Sequence, residues 1–317
     1  MIGFNRSLAL QASIVTEQAA IAASVLVGRG DEKAADQAAV DAMRSGLNDM
    51  QIRGRVVIGE GERDEAPMLY IGEEVGQGKG PQIDIALDPL EGTTLTAKAM
   101  PNALAVMAFA PKGKFLYAPD VYMDKIAIGP GFAPGLIDLD KTASDNAKAL
   151  AKAKGVSVSD ITVCVLDRPR HSHIIDDLRN VGTRVLLITD GDVQGVINTT
   201  NPLTQVDMYI GQGGAPEGVL AAAALRCVGG QMQARLYFRN DDEVKRARRV
   251  GIDDLEKKYD LDALASSHTI FAATGVTFGG LLDGVRVDKE RTHTHSLIMN
   301  SVDGAVQYIR STFPNKV

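Results

Sequence analysis

Apolar residues near the start of the chain recur at the spacing of one helix face. From Asn5 to Val27 they keep this spacing until Gly28 and Gly30 interrupt it, and a second helical stretch runs from Glu32 to about Met50. Apolar positions three and four residues apart lie on one side of a helix. The pattern therefore predicts two helices, each with a buried face.

Short β-prone runs punctuated by Gly, Pro and Asp follow these helices. The runs are Arg55 to Ile58, Gln82 to Leu87, Ala103 to Ala110 and Lys114 to Leu116. Runs of this length with turn residues between them favour strands joined by turns. The N-terminal half is therefore expected to be α+β, with helices packed against a largely antiparallel sheet.

From about Ile161 the pattern alternates between strands and helices. The predicted strands cover 161–166, 184–189 and 206–210, and the clearest helices cover 171–181 and 216–228. Such alternation is typical of a parallel or mixed α/β layer. The expected fold class is therefore α/β.

The stretch between the β-prone runs and the alternating strands and helices is the best candidate for a domain boundary. It begins with glycines at Gly129 to Gly135 and continues as a polar, alanine-rich segment to Gly155. We therefore expect an N-terminal α+β half, residues 1–155, and a C-terminal α/β half, residues 156–317. A chain of 317 residues is about twice the usual length of one domain, which fits such a division.

Composition and charge narrow the class of protein. Hydrophobic residues make up 45% and charged residues 23% of the chain, as in ordinary folded proteins. The net charge of −6 argues against a nucleic-acid partner, and the basic stretch Lys245 to Arg249 is expected to be a solvated helix face. Cys164 and Cys227 lie in apolar runs, where a reduced buried thiol is the ordinary state. With no secretory leader pattern and no long apolar window, the chain is expected in the cytoplasm, away from membranes.

The strongest chemical signal is the segment from Asp84 to Thr94, which reads DIALDPLEGTT. An apolar strand is predicted to end at Asp88, and Glu91 follows three residues later, before a Gly-Thr-Thr step. Carboxylates are the ligands that Mg²⁺ and Mn²⁺ prefer, and Gly92 would let the backbone approach a phosphate closely. The plain alternative is an Asp-Pro turn without a ligand.

Three further acidic positions are candidates for the same site. Glu60 lies in the acidic segment Gly59 to Glu65 after a β run, Asp36 interrupts an alanine-rich helix, and Glu217 follows a glycine-rich turn and Pro216. Glu60 and Glu217 have alternative explanations, a solvated loop and a favourable helix start, whereas a polar residue at Asp36 is otherwise unexplained. The strand ends that carry Glu60 and the Asp-Pro turn can converge on one ion.

The order and spacing of these blocks resemble the lithium-sensitive, metal-dependent phosphatases that include inositol monophosphatase and fructose-1,6-bisphosphatase. The match is closer to class II fructose-1,6-bisphosphatase, the bacterial GlpX type, and extends over roughly Val15 to Arg310. It is carried by long motifs, which are GRGD at 28–31, VIGEGERDEAPMLYIG at 57–72, APDVYM at 118–123, RPRH at 168–171, DGDV at 190–193 and ATGV at 273–276.

The resemblance implies a role for each of these positions. The metal-binding carboxylates are Asp36, Glu60, Asp88, Glu91 and Glu217, for Mg²⁺ or Mn²⁺. The substrate contacts are Glu91, Gly92, Thr93, Tyr122, Arg168, Pro169, Arg170, Asp190, Gly191, Asp192 and Gly214. The catalytic candidates are Thr93, Asp36 and Glu60, with Thr93 orienting or deprotonating a water and Asp36 accepting a hydrogen bond from its hydroxyl. A Thr93 nucleophile is the less economical alternative.

The implied reaction is hydrolysis of fructose 1,6-bisphosphate to fructose 6-phosphate, in gluconeogenesis or a related carbon cycle such as glycerol metabolism. The alternatives are a second activity on sedoheptulose 1,7-bisphosphate, other phosphate esters, and a catalytically silent sugar-phosphate-binding regulator. The resemblance also implies a layered α-β-α-β-α fold, a homo-oligomer (dimer or tetramer) and inhibition by lithium.

Two departures from the pattern matter for this chain. In the wider superfamily the last metal carboxylate is an Asp, so the longer Glu217 requires a backbone that is set further back. The region from Arg239 to Leu264 is shorter than in some class II relatives, which puts an effector or interface role of that region in doubt.

Overall fold

In the computed structural model the described residues are 4–61 and 68–315. Contacts divide the chain into one unit made of Met1–Phe115 with Ser267–Val317 and a second made of Leu116–Ser266. This division differs from the predicted boundary at residue 155. It does so because the segment after residue 115 supplies a strand and a helix to the second unit, and because the last segment returns to the sheet of the first.

The described residues form nine α-helices and fourteen strands. The helices are α1 Arg6–Ser24, α2 Glu32–Asn48, α3 Thr93–Ala97, α4 Ala143–Lys154, α5 Ser172–Asn180, α6 Asp192–Ile197, α7 Ala215–Val228, α8 Asp241–Arg249 and α9 Leu261–Leu264. The strands are β1 Arg53–Ile58, β2 Glu74–Val75, β3 Gln82–Glu91, β4 Leu104–Pro111, β5 Tyr122–Ile128, β6 Thr162–Leu166, β7 Arg184–Ile188, β8 Met208–Gly214, β9 Gln231–Tyr237, β10 Lys258–Asp260, β11 Ile270–Gly275, β12 Arg286–Val287, β13 Arg291–Asn300 and β14 Ala305–Pro314.

The first unit is a mixed sheet with two long helices packed against it. The strand order is β12-β13-β11-β4-β3-β1-β2, with β14 also paired to β13, and β1 and β3 are the parallel neighbours. Helix α1 packs on β11, β13 and β4, and α2 packs on α1 and β3. The shared core of helices and sheet is apolar, with alanines on α1 that allow close approach. The predicted pair of N-terminal helices and the largely antiparallel sheet are confirmed.

The second unit is a mixed sheet with helices on both faces. The strand order is β10-β9-β5-β8-β6-β7, in which β6 runs parallel to β7 and β8, while β5 is antiparallel to β8 and β9. Side chains of α4 and α5 share one core with the strands, including Ile126, Val163 and Ile210. Helices α6 and α7 pack on each other and on the sheet. The predicted α/β alternation is confirmed.

Two local predictions are wrong. Lys114 to Leu116 is not a strand, since the chain turns at Gly113 with a positive φ of 76° and forms an isolated bridge at Phe115. Strand β3 does not end at Asp88 but continues to Glu91. The pairing with β4 tolerates Pro89 because the register shifts there.

Other predictions about burial hold. Cys164 and Cys227 are buried and form no disulfide in the described residues, and desolvation, followed by the charge of Asp192, raises the pKa of Cys164 to about 12. Helix α8 exposes most of its basic residues, as predicted. No helix in the described part of the chain combines the length and apolar character that a membrane crossing needs.

Candidate active site

A bulge in β3 places Asp88 and Glu91 together. Asp88 is opposite Val106 of β4, and Glu91 is opposite Leu104, so three steps along β3 match two along β4. Residues three apart in a regular strand point to opposite faces, and the extra residue of a bulge reverses this. Carboxylate oxygens of Asp88 and Glu91 consequently lie within 4.8 Å of one another.

Asp36 of α2 is electrostatically coupled to Asp88. Desolvation, followed by the charge of Asp88, raises the pKa of Asp36 to about 6. Two partly buried carboxylates that disfavour each other's charge are stabilised when a cation lies between them. Asp36 therefore lies in the electrostatic field of the Asp-Pro segment.

Glu60 follows the end of β1, in the same unit. Its backbone N–H donates to the carbonyl of Leu69 at 3.0 Å, and the chain passes so close there that a Cβ on Gly59 would be 2.1 Å from that carbonyl oxygen. Because β1 is the parallel neighbour of β3, the ends of both strands lie at one edge of the sheet. The acidic residues Glu62, Asp64 and Glu65 of the same motif lie outside the described residues.

Thr93 is the first residue of α3, and Gly92 is its N-cap. Gly92 has a φ of 96°, a conformation that glycine adopts without strain, and no side chain caps this helix. Thr93 is therefore not the residue that caps this helix. Helix α2, which carries Asp36, packs against α3.

The donor set of this unit suits a hard divalent cation. Asp36, Glu60, Asp88 and Glu91 offer only carboxylate oxygens, which Mg²⁺ and Mn²⁺ prefer and which soft thiophilic metals do not. The repulsion between Asp36 and Asp88 is a second reason, because ions would relieve it. These residues therefore fit the metals that the resemblance implies.

In the second unit the predicted substrate residues gather at one edge of the sheet. The carboxyl ends of β6, β7 and β8 and the amino end of β5 meet there, since β6 is parallel to both β7 and β8 and β5 is antiparallel to β8. Ligands of open α/β sheets are typically bound outside the carboxyl ends of strands. The residues that follow the ends of β6 and β7 are Arg168, Pro169, Arg170, Asp190, Gly191 and Asp192, while Gly214 ends β8 and Tyr122 begins β5.

Arg170 and Tyr122 are in contact at this edge. The Arg170 guanidinium carbon lies 5.0 Å from the centre of the Tyr122 ring, and Nε and Nη2 donate to the carbonyl of Gln212 at 3.3 and 2.7 Å. Arg168 instead bonds locally, from Nη1 to the carbonyl of Asp167 at 3.1 Å. Pro169 lies between the two arginines and begins the 3₁₀ turn Pro169–His171, which contains Arg170.

Asp190 and Asp192 have different surroundings. Asp190 is half-buried and accepts from the N–H of Gly191 at 3.2 Å. Asp192 is buried in the first turn of α6 and forms an ion pair with the buried Lys125 of β5. Lys125 also donates to the carbonyl of Gly214 at 2.8 Å. Asp192 thus has a structural partner in addition to the sugar contact that the resemblance implies.

Glu217 folds back toward the turn that precedes its helix. A Cβ on Gly214 would be 1.8 Å from the Glu217 Oε2 atom, so only glycine leaves room for this carboxylate. The carboxylate therefore occupies space beside the start of α7.

The family model of bacterial, glpX-encoded fructose-1,6-bisphosphatase matches residues 6–313. The chain belongs to this family. It is therefore an enzyme of the phosphoric monoester hydrolase class.

Relatives in this family are similar over nearly their whole length. "Fructose-1,6-bisphosphatase 1 class 2" of Escherichia coli (strain K12) is 45% identical over 97% of this chain and 95% of its own. "D-fructose 1,6-bisphosphatase class 2/sedoheptulose 1,7-bisphosphatase" of Prochlorococcus marinus (strain NATL1A) is 42% identical over 96% and 95%. A solved inositol monophosphatase from Anabaena (Nostoc) sp. PCC 7120 shares 13% identity and a TM-score of 0.32, covering 61% of this chain and 71% of that one.

Sequence reasoning missed two residues that support the site of this GlpX-type enzyme. One is Lys125, described above. The other is His171, whose Nδ1 lies 2.8 Å from the carbonyl of Leu166 while Nε2 accepts from the N–H of Gln212 at 2.8 Å. These partners require a neutral ring protonated on Nδ1, and burial lowers its pKa. His171 thereby links the turn that carries Arg170 to β8. The Arg-Pro-Arg-His motif is the feature of the sequence that could have identified His171.

Proposed function

We propose that the enzyme hydrolyses the 1-phosphate of fructose 1,6-bisphosphate, releasing fructose 6-phosphate and inorganic phosphate. The main support for this proposal is the family match over residues 6–313. The carboxylates gathered around the β3 bulge support it, because phosphoryl transfer requires positioning and charge neutralisation more than covalent chemistry.

The metal ions would be held by Asp36, Glu60, Asp88 and Glu91, with Glu217 as a further ligand. When bound, Mg²⁺ or Mn²⁺ supplies neutralisation of the phosphate charge and a water of lowered pKa. The backbone at Gly92 lets the phosphate approach closely.

Thr93 is proposed to orient the attacking water through its hydroxyl, which in turn donates to Asp36. The water oxygen forms a bond to phosphorus and passes a proton through the Thr93 hydroxyl to Asp36, as the bond from phosphorus to the oxygen on C1 breaks and that oxygen takes up a proton from solvent. The packing of α2 against α3 supports this pairing of Asp36 with Thr93.

Other residues would contact the rest of the substrate. Arg170 and Tyr122 bind the phosphate that is not hydrolysed, and Arg168 adds positive charge. A planar guanidinium offers two parallel N–H donors to phosphate oxygens. Asp190 and Asp192 accept hydrogen bonds from sugar hydroxyls, which orients the 1-phosphate for attack.

A second substrate deserves a direct test. The Prochlorococcus relative carries sedoheptulose 1,7-bisphosphatase in its name. Both sugars are ketose bisphosphates that differ by one carbon, so one pair of phosphate sites separated by a flexible sugar can accept both.

Phosphate release by the purified protein tests the proposal. The substrates are fructose 1,6-bisphosphate, sedoheptulose 1,7-bisphosphate, inositol 1-phosphate and AMP, each with Mg²⁺, with Mn²⁺ and with EDTA. We expect release from fructose 1,6-bisphosphate that EDTA abolishes and lithium inhibits. Binding of the sugar without release under every metal condition would instead identify a silent sugar-phosphate-binding protein.

The pathway, compartment and oligomeric state of the enzyme are also proposed. Gluconeogenesis or a related carbon cycle in the cytoplasm would use this reaction, and two buried cysteines that form no disulfide in the described residues suit a reducing compartment. A homo-oligomer, dimer or tetramer, is proposed from the family. Light scattering coupled to size-exclusion chromatography measures its mass.

A further inference from the structure

A second guanidinium lies on the Tyr122 ring. The Arg239 guanidinium carbon is 4.5 Å from the centre of this ring, closer than that of Arg170 at 5.0 Å. Arg239 follows the end of β9, and β9 runs in the same direction as β8 because both are antiparallel to β5. Arg239 therefore emerges at the sheet edge that carries the predicted substrate residues.

Arg239 is held in place by a buried carboxylate. Its backbone N–H donates to Glu243 Oε2 at 2.7 Å, and Nε donates to Oε1 at 2.7 Å. Nη2 lies 2.5 Å from Oε1 in the same ion pair, and the Glu243 side chain is only 1% exposed whereas that of Arg239 is 49% exposed. These bonds fix the orientation of the guanidinium and leave Nη1 for a ligand.

The charges around the Tyr122 ring do not cancel. Among the described residues no carboxylate forms an ion pair with Arg170, and Glu243 is shared by Arg239 and by Arg246, which is 3.8 Å away. Asp120 acts on Arg239 only as a weaker charge. Guanidinium groups over an aromatic face retain their N–H donors for an anion. A dianionic phosphate supplies the negative charge that two neighbouring arginines require.

We propose that Arg239 is a further phosphate-binding residue, which together with Arg170 binds the phosphate that is not hydrolysed. This inference rests on the proposed function, which assigns Tyr122 and Arg170 to that phosphate. The reacting phosphate belongs with the acidic residues around Asp88, which repel any phosphate that lacks metal ions. Sequence reasoning did not find Arg239 because it stands alone before the helix start at Asn240.

A structural role is the competing explanation. Asn240 caps α8 and accepts from the N–H of Glu243 at 3.0 Å. Glu243 and Arg239 could then serve only to fix this helix start. A structural role predicts that an Arg239 variant has lower thermal stability and that its activity changes equally for every substrate. Phosphate binding predicts that the change is confined to substrates and ligands that carry the non-reacting phosphate.

The test compares substrates and ligands that differ in the non-reacting phosphate. In Arg239→Gln we expect KM for fructose 1,6-bisphosphate to rise about tenfold or more, the effect of losing a charged hydrogen bond of about 1.5 kcal/mol, with kcat little changed. Turnover of fructose 1-phosphate should not change. Inhibition by fructose 6-phosphate, which keeps the non-reacting phosphate, should weaken by a similar factor. Arg239→Lys keeps the ion pair with Glu243 and should give a smaller rise.

Two comparisons make the outcome decisive. Arg248→Gln removes a guanidinium that is 54% exposed on α8, the helix that follows Arg239, and that is paired with Asp253, so it should leave KM unchanged. An unchanged KM and an unchanged fructose 6-phosphate inhibition in folded Arg239→Gln and Arg239→Lys would overturn the proposal, as would equal losses on both substrates. A wild-type protein that fails to hydrolyse fructose 1,6-bisphosphate would refute the proposed function instead, and direct calorimetric binding of fructose 6-phosphate would still test Arg239.

Discussion

At the scale of single residues, one extra residue in β3 determines the acidic site. The bulge at Pro89 turns Asp88 and Glu91 toward each other, and it does so where proline cannot donate to the neighbouring strand. The sequence alone indicated two carboxylates on one turn. It did not indicate that the strand continues through them, because a proline ordinarily argues against a strand interior.

The negative charges of Asp88 and Glu91 should both be needed for activity. Asp88→Asn and Glu91→Gln nearly preserve the shape of the side chain, and each is expected to remove most of the activity. The loss should exceed the roughly 10- to 100-fold that is typical for altering an outer partner of a metal ligand. Metal titration with phosphate release as the readout checks this. Glu74→Gln, an exposed carboxylate on β2, is the control, and wild-type turnover in either site variant at saturating metal would refute the assignment.

Thr93 has a chemical role if its hydroxyl orients the attacking water. Thr93→Ala should then lower kcat by roughly 10²-fold or more, with KM changed much less, because a positioned proton-transfer group acts in the transition state. Thr93→Ser keeps the hydroxyl and should retain appreciable activity. Gly92, rather than Thr93, is the N-cap of α3, so Thr93→Ala should leave the melting temperature almost unchanged. An active Ala variant would exclude the catalytic assignment.

The residues that sequence reasoning could locate are those in contiguous motifs. Asp36, Glu60 and Glu217 stand beside glycines or in an alanine-rich helix, where an acidic side chain is conspicuous. Lys125 and Arg239 are single basic residues. Lys125 pairs with Asp192, which is 67 positions away in the sequence, and Arg239 pairs with Glu243, which is 4 positions away. Only the pairing of strands reveals that Lys125 reaches Asp192.

At the scale of elements, periodicity located the long helices and the alternating strands of the second unit. Periodicity was less informative about strand ends. The position where β3 ends and the turn at Gly113 depend on the pairing of β3 with β4 and not on local preference. Strand β14 could not be recognised from alternation, since most of its residues are exposed and it is held by the register with β13.

The turn between β12 and β13 should make stability depend on pH. Asp288 Oδ1 accepts from the N–H groups of Glu290 and Arg291 at 2.9 and 2.8 Å, and Oδ2 lies 3.1 Å from His293 Nε2. Bonds from Glu290, His293 and Arg291, in that order, lower the pKa of Asp288 from 3.8 to about 2. Between these values the unfolded chain binds a proton that the folded chain does not. The stabilising effect is therefore complete above about pH 4 and is lost as the pH falls toward 2.

We accordingly expect Asp288→Ala to lower the melting temperature at pH 7, and the difference from wild type to shrink as the pH falls from about 4 toward 2. Glu290→Ala, which removes an exposed carboxylate from the same turn, is the control and should show no such convergence. Thermal melts of all three proteins across this range provide the measurement. A constant difference at every pH would show that the Asp288 charge does not contribute.

At the scale of the whole molecule, the chain divides where its sheets divide. The second sheet is built entirely from strands between residues 116 and 266, whereas the first needs strands from both ends of the chain. The change in composition near residue 155 marks the onset of helix–strand alternation and not a change of sheet. Composition could not reveal this, because β5, which precedes that point, joins the second sheet through long-range pairing.

This division predicts different behaviour for two fragments. Residues 116–266 contain a complete sheet with helices on both faces and a buried core, so the isolated fragment should unfold in one cooperative thermal transition. Residues 1–115 should not, because they lack β11, which pairs with β4 over six positions, and β13, on which α1 also packs. Loss of β11 leaves β4, whose side chains are nearly all buried, as an open apolar edge that favours aggregation. Calorimetry and size-exclusion chromatography of both fragments, with the full chain as reference, distinguish the cases. A non-cooperative 116–266 fragment, or a folded monomeric 1–115 fragment, would show that the units do not have separate cores.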